Sequence, residues 1–217
     1  MAVLNVNPTR MELTRLKKQL STALRGHKLL KDKRDEQMRQ FMILVRRSRQ
    51  LRAQVEQALA EAQGAFTVAA AVMSPEMLQQ ALMCPKQRLE LETGTRNIMG
   101  VETPVYHLQW HNDDPADLLP YGFAQTSGEL DTAIETMGGV LPQMLELAET
   151  EKAVLLLAED IEKTRRRVNA LEYVMIPDLE RNIKYISMKL EENERANTTR
   201  LMKVKDMVLQ DAHHYKS

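Results

Sequence analysis

Apolar residues recur every three or four positions along both ends of this chain, and the middle breaks that rhythm. Between Thr9 and Ser74 there is no proline and only two glycines, Gly26 and Gly64. The stripe there reads Leu13, Leu16, Leu20, Ala23, Leu30, Phe41, Leu44, Leu51, Val55, Ala58, Ala62, Ala65, Ala69 and Val72. A helix of that extent is roughly 100 Å long at about 1.5 Å per residue. A stripe so narrow needs another helix beside it along its length. From Gln143 to the C-terminus there is one proline, Pro177, and no glycine. Leu145, Ala148, Leu155, Ala158, Ile161, Val168, Leu171, Met175, Leu179, Ile183, Ile186, Leu190, Val204 and Met207 give a matching stripe, with a phase slip near Glu151 to Glu162. The spacing therefore predicts two long helices paired antiparallel, with both termini at one tip and the intervening residues capping the other end.

The boundaries follow from local chemistry. Asn7-Pro8-Thr9 reads as a helix start, with Asn7 as N-cap and Pro8 at the first helical position. Ser74-Pro75 stops or resets the helix, and Ser74 can cap a short helix to about Met83. Cys84 to Phe123 is rich in Pro, Gly, Thr and Asn, and its apolar residues alternate. Two short strands are predicted there, from Asn97 to Glu102 and from Thr103 to Trp110, forming a hairpin with Ile98, Val101, Val105, Tyr106, Leu108 and Trp110 as its apolar positions. Ser127-Gly128-Glu129 opens the return helix, weakened by Gly138-Gly139 and Pro142. The expected organisation is a helix over 1–74, a short helix and hairpin module over 75–128, and a return helix over 129–217 with a kink near Pro177. The fold class is all-α, an antiparallel two-helix coiled coil with a small β-hairpin inserted.

Composition narrows the picture. Aromatics are 4% against 28% charged residues, which suits a coiled coil better than a globular core. Fourteen methionines fit a pliable helical seam. A single cysteine, Cys84, leaves no partner for an intramolecular disulfide. No stretch approaches the roughly 20 apolar residues needed to cross a bilayer, and the N-terminal residues carry no apolar run suited to a signal peptide. Any membrane role is expected to be peripheral. Net charge is zero but unevenly spread: Arg10 to Arg52 carry fourteen Lys or Arg against four acids, and Ser74 to Ala148 carry three against eleven. Such a field orients a molecule among charged partners.

Candidate chemistry is sparse. There is no phosphate loop, no HExxH and no nucleophile elbow. His107, His111, Asp113 and Asp114 match no metal-ligand spacing, and with His213-His214 they read as solvated loop and tail residues. Arg165-Arg166-Arg167 point about 100° apart on a helix and read as surface ion pairs. More telling are polar residues on the stripe: His27, Arg34, Gln37 and Ser48 on the first helix, and Asn169, Asn193 and Asn197 at or near it on the second. A buried polar residue fixes register at a cost in stability; drift of the stripe explains the pattern equally well.

Several blocks carry a resemblance. Asn7-Pro8-Thr9-Arg10-Met11-Glu12-Leu13, Leu16-Lys17-Lys18-Gln19-Leu20, Arg25-Gly26-His27-Lys28-Leu29-Leu30-Lys31 and Lys33-Arg34-Asp35-Glu36 form the first set. Lys163 to Glu172, Ile176-Pro177, Tyr185-Ile186 and Leu190 to Arg195 form the second. Together they resemble the D subunits of the V-type and archaeal A-type ATPases, and the match covers both helices. The resemblance implies a central-stalk rotor subunit on the cytoplasmic face of a membrane, in the soluble sector. It implies that the tip, with Arg10, Arg15, Lys17, Lys18, Arg25 and Lys28, enters a hexamer of catalytic and regulatory A and B subunits. The small F subunit of the stalk would bind partway along, and a funnel-shaped connector on the membrane rotor would meet the far end. It implies no catalytic residue, cofactor or metal in this chain. On the residues alone, a coiled-coil adaptor without an ATPase stays open, as does a basic-helix nucleic-acid binder. The lack of aromatic residues for stacking among those cations, where Phe41 stands alone and on the apolar stripe, weighs against the latter.

Overall fold

The computed structural model describes residues 7–110, 119–122 and 126–214. Helix α1 runs Arg10–Val72, α2 Pro75–Leu82, strand β1 Leu89–Ile98, strand β2 Val101–Trp110, α3 Gly128–Ala170, and α4 Ile176–His214, with one π-helical turn, Leu171–Met175, joining the last two. The fold is mostly helical, with N- and C-terminal helices packed together and a two-stranded antiparallel hairpin between them. No helix among the described residues is long and apolar enough to cross a membrane.

Helix α1 starts two residues later than the Asn7 cap implies. Thr9 Oγ1 accepts the Glu12 N–H at 3.2 Å, and Thr9 O accepts the Leu13 N–H. Thr9 Oγ1 thus satisfies one of the otherwise unpaired donors of the first turn, and Thr9 O accepts the first intrahelical bond. At α2, Ser74 is the cap, accepting the Met77 N–H at 3.4 Å with Pro75 at the first helical position. The π turn closes with the Ile176 N–H donating to Leu171 O, five residues back. It falls immediately before Pro177, which has no N–H and whose ring would crowd the carbonyl of Tyr173 in an unbroken α-helix. The helix widens by one turn ahead of Pro177 and continues through it. Pro142 is likewise carried inside α3.

The chain forms two compact units. Unit 1 comprises residues 1–34 and 163–217, and unit 2 comprises residues 35–162. In unit 1, Arg10 pairs with Glu194 and His27 with Glu172, so α1 and the α4 side run antiparallel. Its buried side chains are Leu16, Thr164, Val168 and Ile186. In unit 2, one core gathers Val55, Ala62 and Val140, with Ala58 and Leu147 packed against it. A second gathers Ala69, Met73, Ala81 and Leu130, with Met77, Leu78, Tyr121 and Ile134 around it. The second core shows what closes the end of the helix pair. It is α2 and the Tyr121 segment, with the Tyr121 hydroxyl donating to Asp131 at 2.7 Å.

The hairpin departs from the predicted one in register and in place. Its turn is Met99-Gly100, between the paired residues Ile98 and Val101, so the predicted strand from Asn97 to Glu102 straddles the turn. Both turn residues have positive φ, 55° at Met99 and 87° at Gly100. That is the twist a two-residue hairpin needs. Asn97 Oδ1 accepts the Gly100 N–H at 2.9 Å and holds it. The segment Leu89 to Arg96 is also strand, and the apolar–polar alternation of Leu89-Glu90-Leu91-Glu92 was the available signal. The hairpin does not cap the end of the helices; Arg96, Ile98 and Thr103 line a crevice with Leu44, Arg47 and Glu149. Leu44 lies 28 residues before the end of α1, about 40 Å along a helix.

Candidate functional site: the paired helices and their faces

The seam between the paired helices sets which side chains reach the surface of each unit. Leu16, Val55, Val168 and Ile186 are buried, and Leu13, Leu20, Leu30, Phe41, Leu44, Leu51, Leu171, Leu179, Ile183 and Leu190 are half-buried. Met175 is 52% exposed and Val204 is 55% exposed. Val72 is 64% exposed, and its neighbour Met73 takes the core position. Along α3 the buried phase is Thr150, Ala153, Leu157, Ile161, Thr164 and Val168, not Ala148 and Leu155; Leu155 is 60% exposed. The run Val154-Leu155-Leu156-Leu157 offers the sequence no means of choosing a frame. The regular three- and four-residue spacing from Thr150 to Val168 was the available signal, hidden because two of its members are threonines.

Of the polar stripe residues, Gln37 is fully buried and donates from Nε2 to Asp160 Oδ2 at 2.7 Å. Its Oε1 is buried without a hydrogen-bond partner among the described residues. A buried amide of this kind favours one alignment of its two helices, because a slip leaves the Gln37 side chain buried without its donor bond. His27 is half-buried, its Nε2 3.4 Å from Glu172 Oε2. Arg34 and Ser48 are half-buried, whereas Asn169, Asn193 and Asn197 are exposed and off the seam.

The outer faces are charged. Arg10, Arg15, Lys17, Lys18, Arg25 and Lys28 are all exposed. Arg10 meets Glu194 at 2.6 Å and Arg15 meets Glu12 at 3.6 Å. In unit 2, Arg47 meets Glu146 at 2.5 Å and Arg52 meets Glu151 at 2.6 Å. The Glu151 carboxylate raises the Arg52 guanidinium above its ordinary value. Glu36 is held at about 2, first by its hydrogen bond from Arg39 and then by that from Gln40. Water screens exposed pairs of this kind, so each contributes little to stability. They decorate the helices without fixing them.

The hairpin is seated on unit 2 by its second strand. Val101 and Thr103 are buried, and Ile98, Val105, Tyr106 and Leu108 are half-buried. Thr103 Oγ1 donates to Arg96 O at 2.8 Å across the ladder, and the Tyr106 N–H points to Glu149 Oε2 at 3.4 Å. The Trp110 side chain lies outside the described residues, as do His111, Asp113, Asp114 and the side chains of His213 and His214. Among the described residues no group of three or more His, Cys, Asp or Glu is placed to hold a metal ion. Arg165, Arg166 and Arg167 are exposed.

Within each unit the helices pair antiparallel under charged outer faces, and the comparisons with known proteins give that arrangement a family. A family model described as the D subunit of ATP synthase matches residues 12–206. The D subunit of a V-type ATP synthase from Acetivibrio thermocellus is 63% identical over 216 residues, 100% of this chain and 97% of that one. Its counterparts from Clostridioides difficile and Clostridium novyi are 60% and 56% identical, over 98% and 96% of this chain and 95% and 97% of theirs. The blocks along both helices, the antiparallel pairing they produce and a match spanning nearly every residue place this chain in the family of ATP synthase D subunits.

Proposed function

We propose that this chain is the central-stalk shaft of a rotary V-type ATPase. It couples ATP hydrolysis or synthesis in a hexamer of A and B subunits to rotation of a membrane ring. The observation that carries this reading is the antiparallel pairing of the N- and C-terminal helices. It leaves a row of exposed cations, Arg10 to Lys28, along a stiff element. A shaft must resist bending yet slide past its neighbours. Paired helices supply the first property. Weak, exposed charges supply the second, because no single contact holds strongly. The chain is non-catalytic in this reading and lies at the cytoplasmic face of a membrane. It meets the F subunit along its length and a funnel-shaped connector at the membrane rotor.

The test is purification of the tagged chain from its own cells. A nucleotide-binding hexamer should accompany it, and purification alone or with partners that bind no nucleotide would sink the proposal. Calorimetric titration of the isolated chain with Mg-ATP should give no binding; a stoichiometric site would overturn the non-catalytic assignment.

A further inference from the structure

Unit 1 carries an open groove of about 1110 Å³ between the start of α1 and the π turn. Leu171, Met175 and Leu179 line it from the α4 side, at the four-residue spacing of one helical face, and Ala23 and Met11 line it from α1. Leu171, Met175 and Leu179 sit on the predicted seam, yet Met175 is 52% exposed and Leu171 and Leu179 are only half-buried. The π turn contributes to this opening: it adds a residue to one turn, which widens the helix and rotates Met175 outward. The α1 wall from Arg10 to Gly26 spans about 24 Å at 1.5 Å per residue. Every charged residue lining the groove is a cation, namely Arg10, Arg15 and Lys18. Arg10 and Arg15 have carboxylate partners, and Lys18 makes no ion pair among the described residues.

We propose that this groove receives an amphipathic helical segment of a partner protein, apolar along one stripe and acidic along its edges. A helix fits because the groove runs along α1 for several turns. Its floor also repeats apolar side chains at helical spacing, the arrangement that helix-in-groove recognition uses. Methionines at the floor let it adapt to the incoming side chains. Acidic edges fit because Lys18 has no ion-pair partner among the described residues, and the Arg10 and Arg15 pairs are exposed and weak enough for a partner's carboxylates to compete for them. In unit 2 the same kind of open flank is already covered by α2 and the hairpin, so the groove marks a missing third layer. That the segment belongs to the nucleotide-binding hexamer rests on the shaft reading above.

Two experiments test this. In the first, a 14-residue helical peptide with Leu at alternating three- and four-residue spacing and Glu at its flanks is titrated against the full chain by fluorescence anisotropy. A version with Lys for every Glu is the control. The Glu peptide should bind and the Lys peptide should bind at least about tenfold more weakly. Thr22→Trp, which fills the groove from an exposed position, should abolish binding. Lys18→Glu, a surface change, should weaken binding about three- to tenfold. Equal binding of the two peptides, or binding indifferent to Thr22→Trp in a variant of unchanged helicity, would overturn the proposal. In the second, a photo-crosslinking residue at Gln19 is carried into the assembly purified from cells, with Arg200 as the exposed control position. Crosslinks from Gln19 should fall on one acid-flanked apolar segment. An intact assembly whose Gln19 crosslinks are no more selective than those from Arg200 would refute the groove's role. Failure to recover any nucleotide-binding assembly would refute the shaft reading instead and leave the peptide titration to judge the groove.

Discussion

The two units solve the same packing problem with different means. In each, α1 lies antiparallel to a helix from the second half of the chain. In unit 1 that is the whole of the solution, and only Leu16, Thr164, Val168 and Ile186 are buried among its described residues. In unit 2 a third layer is added. α2 and the Tyr121 segment cover one end, and the hairpin lies along the flank. In the core that α2 and Tyr121 cover, Ala69 and Leu130 reach full burial. Two helices alone can bury only the line where they touch. A third element converts that line into a core, which is why the seam of unit 1 stays half-open and carries the groove.

The largest expected effect separates the two units directly. Leu130 and Leu157 are fully buried in unit 2, and changing either to Ala should cost about 2–5 kcal/mol of stability, read by denaturant unfolding. The matching change at Leu179 in unit 1, which lines the open groove, should cost less than half as much. Equal losses would show that the groove-lining residues are as well packed as the core of unit 2. A smaller loss is expected at the buried amide. Gln37→Ala should cost about 1–3 kcal/mol, because it removes the hydrogen bond to Asp160 and leaves a space where a fully buried side chain stood. Gln37→Met should recover part of that loss by filling the space, and a Met variant worse than Ala would mean that register, not volume, is at stake.

The hairpin offers a smaller and more local test. Gly100→Ala places a side chain on a residue at φ 87° and should cost about 1–2 kcal/mol. The loss should appear as faster hydrogen exchange in β1 and β2, with the protection of Leu16 and Ile186 unchanged. Spread of the effect to those positions would show that the hairpin supports unit 1 as well. The smallest effect is electrostatic. Glu36 is held at about 2 by Arg39 and Gln40, below the ordinary carboxylate value of 4.5. Its contribution is therefore fully present above about pH 4.5 and is lost as pH falls through about 2. The side-chain carbonyl chemical shift of Glu36 should titrate near that lower value, and a midpoint at 4.5 would mean that the Arg39 pair does not form in solution.

Much of this architecture is legible in the sequence. The three- and four-residue spacing of leucines specifies two long helices, since only a helix brings such positions to one side. Ser74-Pro75 marks the break after the first helix, and Pro177 marks where the second must adjust. Family membership is legible too, because the charged blocks along both helices are long and specific. The sequence does not decide which of several adjacent apolar residues faces inward. Val154-Leu155-Leu156-Leu157 serves any frame, and only the partner helix selects Leu157. Nor does it decide the hairpin turn, because left-handed φ at Met99 is imposed by the pairing of Ile98 with Val101. Burial of Gln37, covering of the unit 2 flank and opening of the seam at Met175 each depend on what lies opposite. That is a property of pairs of segments distant in the chain, which local spacing does not contain.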